Sequence, residues 1–267
     1  MGPSVQIPQD VLECIIDELH SDIDTLKTCA VISHSFLAPT RRHLFHSIRL
    51  DTPLLSHRLC NLFTTRPEIA LYVRKLFLLT GDSLHRQSWL ASDKSLPTIL
   101  RMVDHLQMFT MSQLTQLIYW DKFSTEVASA LADRFRSPML TVVKIWQCRR
   151  LPVSLINNFL YVKELSLILT SFYDDSEGTP VSVLRLPRLH SLEILPAARN
   201  DQPVAIFPQM ENLQLLFIRA CDWYTLSVTQ EVIRSCATSI RSVMWCYMWM
   251  KEESTFKKWF GHSVLKP

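Results

Sequence analysis

The chain is poor in glycine. With only Gly2, Gly81, Gly178 and Gly261 among 267 residues, it has no phosphate-cradling loop of the GxGxxG or P-loop kind. No GxSxG nucleophile elbow is present. The seven cysteines form no CxxC pair and are odd in number. Most sit among apolar residues, where a free thiol packs as a small hydrophobe, so a reducing compartment, cytosol or nucleus, is expected. An excess of one charge is also missing, with 28 basic and 25 acidic side chains and a net charge of +3. That argues against a nucleic-acid or anionic-membrane role, both of which need concentrated positive charge. The longest apolar run, Val243 to Met250, is eight residues, far short of the roughly 18 that a membrane helix needs. Met1–Gln6 has neither the cationic start and apolar run of a signal peptide nor the residue a myristoylation signal wants at position 6. The expectation is a soluble protein.

Chemistry-bearing clusters are equally sparse. His43 and His46 are three apart, but neither an HExxH motif nor a cysteine at ligand spacing accompanies them. Asp174-Asp175-Ser176-Glu177-Gly178 lacks the ligand rhythm of a calcium loop and reads as solvated acid. Arg41-Arg42 and Arg149-Arg150 are pairs rather than patches and read as solvated ends of elements. No catalytic, cofactor-binding or metal-binding residues are assigned, and the expectation is not an enzyme.

What the chain does have is two regions with different periods. In residues 1–44, Pro8 and Asp10 open a helix striped by Val11, Leu12, Ile15, Ile16 and Leu19. Ser21–Asp24 caps a second helix carrying Leu26, Cys29, Ala30 and Ser33, which Pro39 should end. Arg41 and Arg42 begin a short third helix. From residue 45 onward, a pattern of apolar, two variable, apolar, one variable, apolar recurs. It reads Phe45/Ile48/Leu50, Val73/Leu76/Leu78, Leu114/Leu117/Tyr119, Leu140/Val143/Ile145, Val162/Leu165/Leu167, Leu189/Leu192/Ile194, Leu213/Leu216/Ile218 and Ile240/Val243/Trp245. First positions are 28, 41, 26, 22, 27, 24 and 27 residues apart. The outlying 41 suggests an insertion from Thr80 to Ser95. Helical stripes fill the intervals near residues 52–62, 96–106, 124–135, 155–159 and 228–236, while 169–186 and 196–208 lack a helical period and read as loops.

A strand followed by a helix at such a period is the signature of the leucine-rich-repeat class. The predicted fold is α/β: a short three-helix segment, residues 1–44, followed over 45–267 by an irregular leucine-rich-repeat-like solenoid with a curved parallel sheet. The alternative is an ordinary doubly wound domain, whose units have longer periods. No asparagine ladder follows the strands, so the coil should be irregular.

Ile7-Pro8-Gln9-Asp10-Val11-Leu12-Glu13-Cys14-Ile15-Ile16-Asp17-Glu18-Leu19 resembles the start of an F-box, and Leu26 to Phe36 its second helix. The family more often carries Trp where this chain has Phe36. Arg41 to Leu50 is similar to the basic exit segment of F-box-like proteins of mushroom-forming fungi. The resemblance implies a substrate-recognition subunit of a Skp–cullin–F-box ubiquitin ligase, with the helices on a Skp-type adaptor and through it a cullin, and the repeats holding a target protein. Chemistry would then belong to other subunits. Carried over by motif, Pro8, Val11, Leu12, Ile15, Ile16, Leu26, Val31 and Phe36 are the adaptor-facing or motif-core residues. The bland alternative is that these apolar residues are core and the helices only cap a scaffold or sensor solenoid.

Strand alternation assigns the template's apolar positions to the core and the intervening ones to the concave sheet face. That face would carry Phe77, Lys144, Glu193 and Arg219, with Trp120 and Trp146 side by side on consecutive strands about 4.8 Å apart. These six are the target-binding candidates. Their alternative role is internal packing, because a C-terminal segment bearing Trp249, Phe256, Trp259 and Phe260 could fold over the row or cap the last repeat.

Overall fold

A computed structural model describes residues 7–80, 89–113, 117–173, 186–196, 210–220, 232–234 and 239–247. The Asp174–Gly178 loop, most of both helix-free intervals, most of the stripe near 228–236 and the four C-terminal aromatics lie outside these residues.

Three helices lead. Helix α1 spans Gln9–Glu18, α2 Ile23–Ile32 and α3 His34–Leu44. Asp22 caps α2 by accepting from Thr25 N at 3.1 Å. Pro39 does not end α2, as the sequence suggested, but lies inside α3. The break comes earlier, at Ser33, whose backbone is extended and whose hydroxyl accepts from Ser35 N to start α3. A proline inside a helix leaves the carbonyl four residues back without its donor. Here that carbonyl belongs to Ser35, and Gln9 Nε2 of α1 donates to it at 3.1 Å. The interruption is thereby turned into a tie between helices.

Eight strands form one sheet: β1 Ser47–Leu50, β2 Lys75–Thr80, β3 Met108–Gln113, β4 Val142–Trp146, β5 Glu164–Thr170, β6 Ser191–Pro196, β7 Leu215–Ala220 and β8 Ser242–Tyr247. All are parallel and lie side by side in chain order. The register aligns Ile48, Leu76, Phe109, Val143, Leu165, Leu192, Leu216 and Val243 across the sheet. Seven of these eight are the template's middle positions. The third is not: the strand is built on Leu106/Phe109/Met111 rather than Leu114/Leu117/Tyr119. Leu106 fits a helical stripe equally well, but the helix before it stops at Met102. Both intervals flanking β3 then become similar, and no single outlying interval remains. Ile118–Tyr119 instead makes a two-residue bridge to Cys148–Arg149 outside the main sheet.

The first seven strands are entered in one way. The carbonyl just before each accepts two consecutive N–H groups at the entry of the next strand, as His46 O does from Arg74 N and Lys75 N, both at 2.9 Å. The pattern repeats from Arg74, Gln107, Thr141, Lys163, His190 and Gln214.

The connectors supply helices where the stripes placed them: α4 Pro53–Thr65, α5 Leu96–Met102, α6 Thr125–Phe135 and the single turn α7 Val153–Ile156. One contiguous apolar core joins them to the sheet. Within it Phe135, at the end of α6, stands edge-on to Phe109 at 5.3 Å and to Phe159 at 5.1 Å. At the far end of the strands the backbone turns through left-handed residues Gln147, Arg150 and Leu169, with φ of 57°, 56° and 52°. Arg150 is exposed, as expected of a solvated end, and there it donates to Asp121 Oδ2 at 3.0 Å and lies 5.5 Å from the Tyr173 ring centroid.

Asp93 holds the start of α5. Its buried Oδ1 accepts from Ser56 Oγ at 2.9 Å, Ser95 N at 2.8 Å and Leu96 N at 2.7 Å. Replacing it leaves three donors with no acceptor, so Asp93→Ala is expected to cost about 2–4 kcal/mol and Asp93→Asn less. Urea denaturation should show a lower midpoint with an unchanged slope.

Candidate functional site

The adaptor candidates separate by burial. Leu12, Ile16 and Leu26 are interior, so they form the core of the helical unit and are not surface available to a partner. Val11 is 44% exposed, Ile15 47% and Val31 83%. Pro8 is also exposed and Phe36 half-buried. The partition has a cause. Gln9, Glu13 and Asp17 recur every four residues along one side of α1, and all three reach α3. Gln9 bonds the Ser35 carbonyl, Glu13 pairs with Arg42 at 3.4 Å, and Asp17 Oδ1 meets His43 Nε2 at 2.7 Å. With that side on α3 and Leu12 and Ile16 inside, Val11 and Ile15 are turned outward. Ile7, Ile23 and Ile32, not singled out from the sequence, are exposed with them.

On the sheet, the row facing away from the core runs through Arg49, Phe77, Thr110, Lys144, Ser166, Glu193, Phe217 and Met244 in direct register. Three of the candidates meet through Ser166. Trp146 Nε1 donates to Ser166 Oγ at 2.9 Å, and Ser166 Oγ donates to Glu193 Oε2 at 2.6 Å. The other carboxylate oxygen, Oε1, accepts from Arg219 Nε at 2.9 Å. Arg219 also lies over the Phe217 ring at 5.2 Å. The chain of contacts crosses four strands and neutralises Glu193 against Arg219. Lys144 occupies the same row beside Ser166, and among the described residues it forms no ion pair. Ser166 was missed as a site residue because a lone serine carries no signal until its neighbours are known.

Trp120 does not belong to this row. It sits in a 3-10 turn, Trp120–Lys122, is 7% exposed, and packs edge-on against Phe123 at 5.1 Å. The misplacement follows from the third strand: with β3 at Met108–Gln113, Ser112 rather than Trp120 lies at the level of Leu79. The tryptophan pair is therefore not formed. Farther along the strands, Leu79, Ile168 and Leu195 are buried and Cys246 on the last strand is exposed.

No group of three or more His, Cys, Asp or Glu side chains able to hold a metal occurs among the described residues. Cys148 is fully buried, and burial first, then the charge of Asp121, pushes its thiol far above the ordinary range. It stays protonated and is no nucleophile. No described helix is long and apolar enough to cross a membrane. No protein-family model matches the chain, and no curated protein matches it either.

His46, between α3 and β1, has its pKa lowered by burial, then by the charges of Lys75, Arg74 and His43. The unfolded chain therefore binds the His46 proton more readily than the folded one. Stability is complete above the ordinary value of 6.5 and falls as pH drops through 6.5 toward the lower folded value. The urea midpoint should drop between pH 7.5 and pH 5.5 by more in the native chain than in His46→Gln. Separately, Glu193→Ala leaves the largely buried Arg219 without its carboxylate. A loss of about 1–2 kcal/mol is expected, discounted from a fully buried pair for residual solvent. Glu193→Gln should lose less in the same assay.

Proposed function

We propose that this chain is a non-catalytic substrate receptor. Its N-terminal helices dock a Skp-type adaptor, which links it to a cullin-based ubiquitin ligase, and its sheet region holds a target protein. The carrying observation is the exposed aliphatic set Val11, Ile15 and Val31, joined by Ile7, Ile23 and Ile32, on a helical unit whose own core is already filled by Leu12, Ile16 and Leu26. Apolar side chains left outside a filled core mark an interaction surface, and the F-box resemblance of the same segment names the partner. The finer architectural reading, an irregular leucine-rich-repeat-like solenoid, draws support from eight parallel strands in chain order. Such an array has a target surface distinct from the helices.

The competing reading, a scaffold or sensor whose helices only cap the repeats, draws on the close tie of α1 to α3 and on the packing of α3 against the 3-10 turn Pro67–Tyr72. Co-purification separates the two. The intact chain should bring down the adaptor, and a Val11→Asp/Ile15→Asp variant should lose at least about tenfold in affinity, since desolvated aliphatic anchors contribute about 1–3 kcal/mol each. Because both positions are outward-facing, the urea midpoint should stay near that of the native chain. Adaptor capture undiminished by these changes would sink the reading.

A further inference from the structure

The strand-entry ladder brings together cations that lie far apart in the chain. Arg74, Lys163, His190 and Arg241 each immediately precede a strand and occupy equivalent places in the ladder. Lys75 is the first residue of β2. Across all eight strands, these two entry positions hold the permanent cations Arg74, Lys75, Lys163 and Arg241, the histidines His46 and His190, and one carboxylate, Glu164. None of the four cations has an ion pair among the described residues. Arg74 spends its guanidinium on the backbone carbonyls of Leu71 and Val73. Lys163 and Arg241 are exposed. Burial lowers the pKa of His46 most, and the neighbouring charges of Lys75 and Arg74 lower it further.

The spacing is regular. Arg74 precedes β2, Lys163 precedes β5 and Arg241 precedes β8, so consecutive members are three strands apart. At about 4.8 Å per strand that is roughly 14 Å. An extended peptide advances about 3.3–3.6 Å per residue, so it covers that span in about four residues. Between the cations, the first residues of β3, β4 and β7 are Met108, Val142 and Leu215, the last 51% exposed. Cations at long intervals with aliphatic contacts between them suit a polypeptide. A nucleic acid would need denser positive charge and open rings for stacking, and the ring of Tyr161, two residues before Lys163, is covered by Arg188 at 4.9 Å.

We propose that the strand-entry rim of the sheet docks an extended acidic peptide segment of a partner protein, crossing the strands with a carboxylate about every fourth residue. The contact rests on the register of the sheet and not on adaptor docking. It deepens the target-binding reading by moving the contact from the internally satisfied Trp146–Ser166–Glu193–Arg219 chain to the cations of the strand-entry rim.

The test uses the full chain and a fluorescein-labelled twelve-residue peptide with Asp at every fourth position and Ser or Leu elsewhere, read by anisotropy. The native protein should bind it, and Lys163→Glu/Arg241→Glu should weaken binding at least about tenfold. Lys163→Gln/Arg241→Gln, milder and less prone to disturb folding, should weaken it by an intermediate factor. Asn in place of Asp should abolish binding, and clustering the same Asp residues at one end should weaken it. The idea is overturned if the native chain does not bind the spaced peptide, if the double variants bind it equally, or if an oligouridylate of the same length binds more tightly. Adaptor capture by the charge-reversed variant should be unchanged, because that contact belongs to the helices. Its loss there would overturn the separation of the two surfaces.

Discussion

The structure depends on one repeated backbone contact: a carbonyl at the mouth of each of the first seven strands that accepts two successive N–H groups at the entry of the next. A parallel strand cannot turn back on its neighbour, so its register has to be set anew after each connector. The forked contact does this at the first residue. Once it is fixed, Ile48 and its seven counterparts fall into a single row. A one-residue slip would turn each aliphatic onto the opposite face. At about 1.5–3 kcal/mol for each large apolar side chain buried, that penalty makes the register strongly specified. It also makes each unit depend on its neighbours, because a lone strand and connector would leave an apolar edge in water.

The same constraint organises everything polar on the sheet. Residues 20 to 34 positions apart become nearest neighbours, so Trp146, Ser166, Glu193 and Arg219 assemble into one hydrogen-bonded chain. Cations that look scattered in the sequence become a row. A chain with a net charge of only +3 can thus present an edge where cations outnumber its one carboxylate, Glu164, while other carboxylates pair away from it: Asp17 with His43, Asp104 with Arg134, Asp121 with Arg150, and Glu193 with Arg219. Composition gave no hint of this, since it averages over positions that the ladder sorts.

What was legible in the sequence was what depends on local period. Seven strands were found because their apolar template is local, and α4 and α6 because Thr52 and Ser124 precede their stripes and cap them. The third strand was misplaced because Leu106 satisfies helix and strand patterns alike, and only the register of β2 decides between them. That one shift carried Trp120 onto a face it does not occupy. Pro39 misled for a different reason. Its effect on α3 is compensated by Gln9, thirty residues away, and no local pattern reports a donor arriving from another helix. Asp93 was overlooked because it caps α5 from outside the usual position, with Ser95 standing where a capping side chain is sought.

Two surfaces of unlike chemistry follow from these packing decisions, and the difference bears on how a receptor could work. On the helices, aliphatic side chains stand outside a filled core with the polar side of α1 committed to α3, so contact there gains mostly by removing apolar area from water and is held by slow dissociation. On the sheet, the rim offers long-range attraction with little buried area, which speeds encounter and discriminates by charge while adding less to residence. A receptor built this way would keep its adaptor and exchange its targets. The Trp146–Ser166–Glu193–Arg219 chain is, by contrast, internally satisfied. A charge left unpaired between Trp146 and Phe217 would cost stability in the target-free state, whereas Lys163 and Arg241, standing in water at the strand mouths, cost almost nothing while they wait.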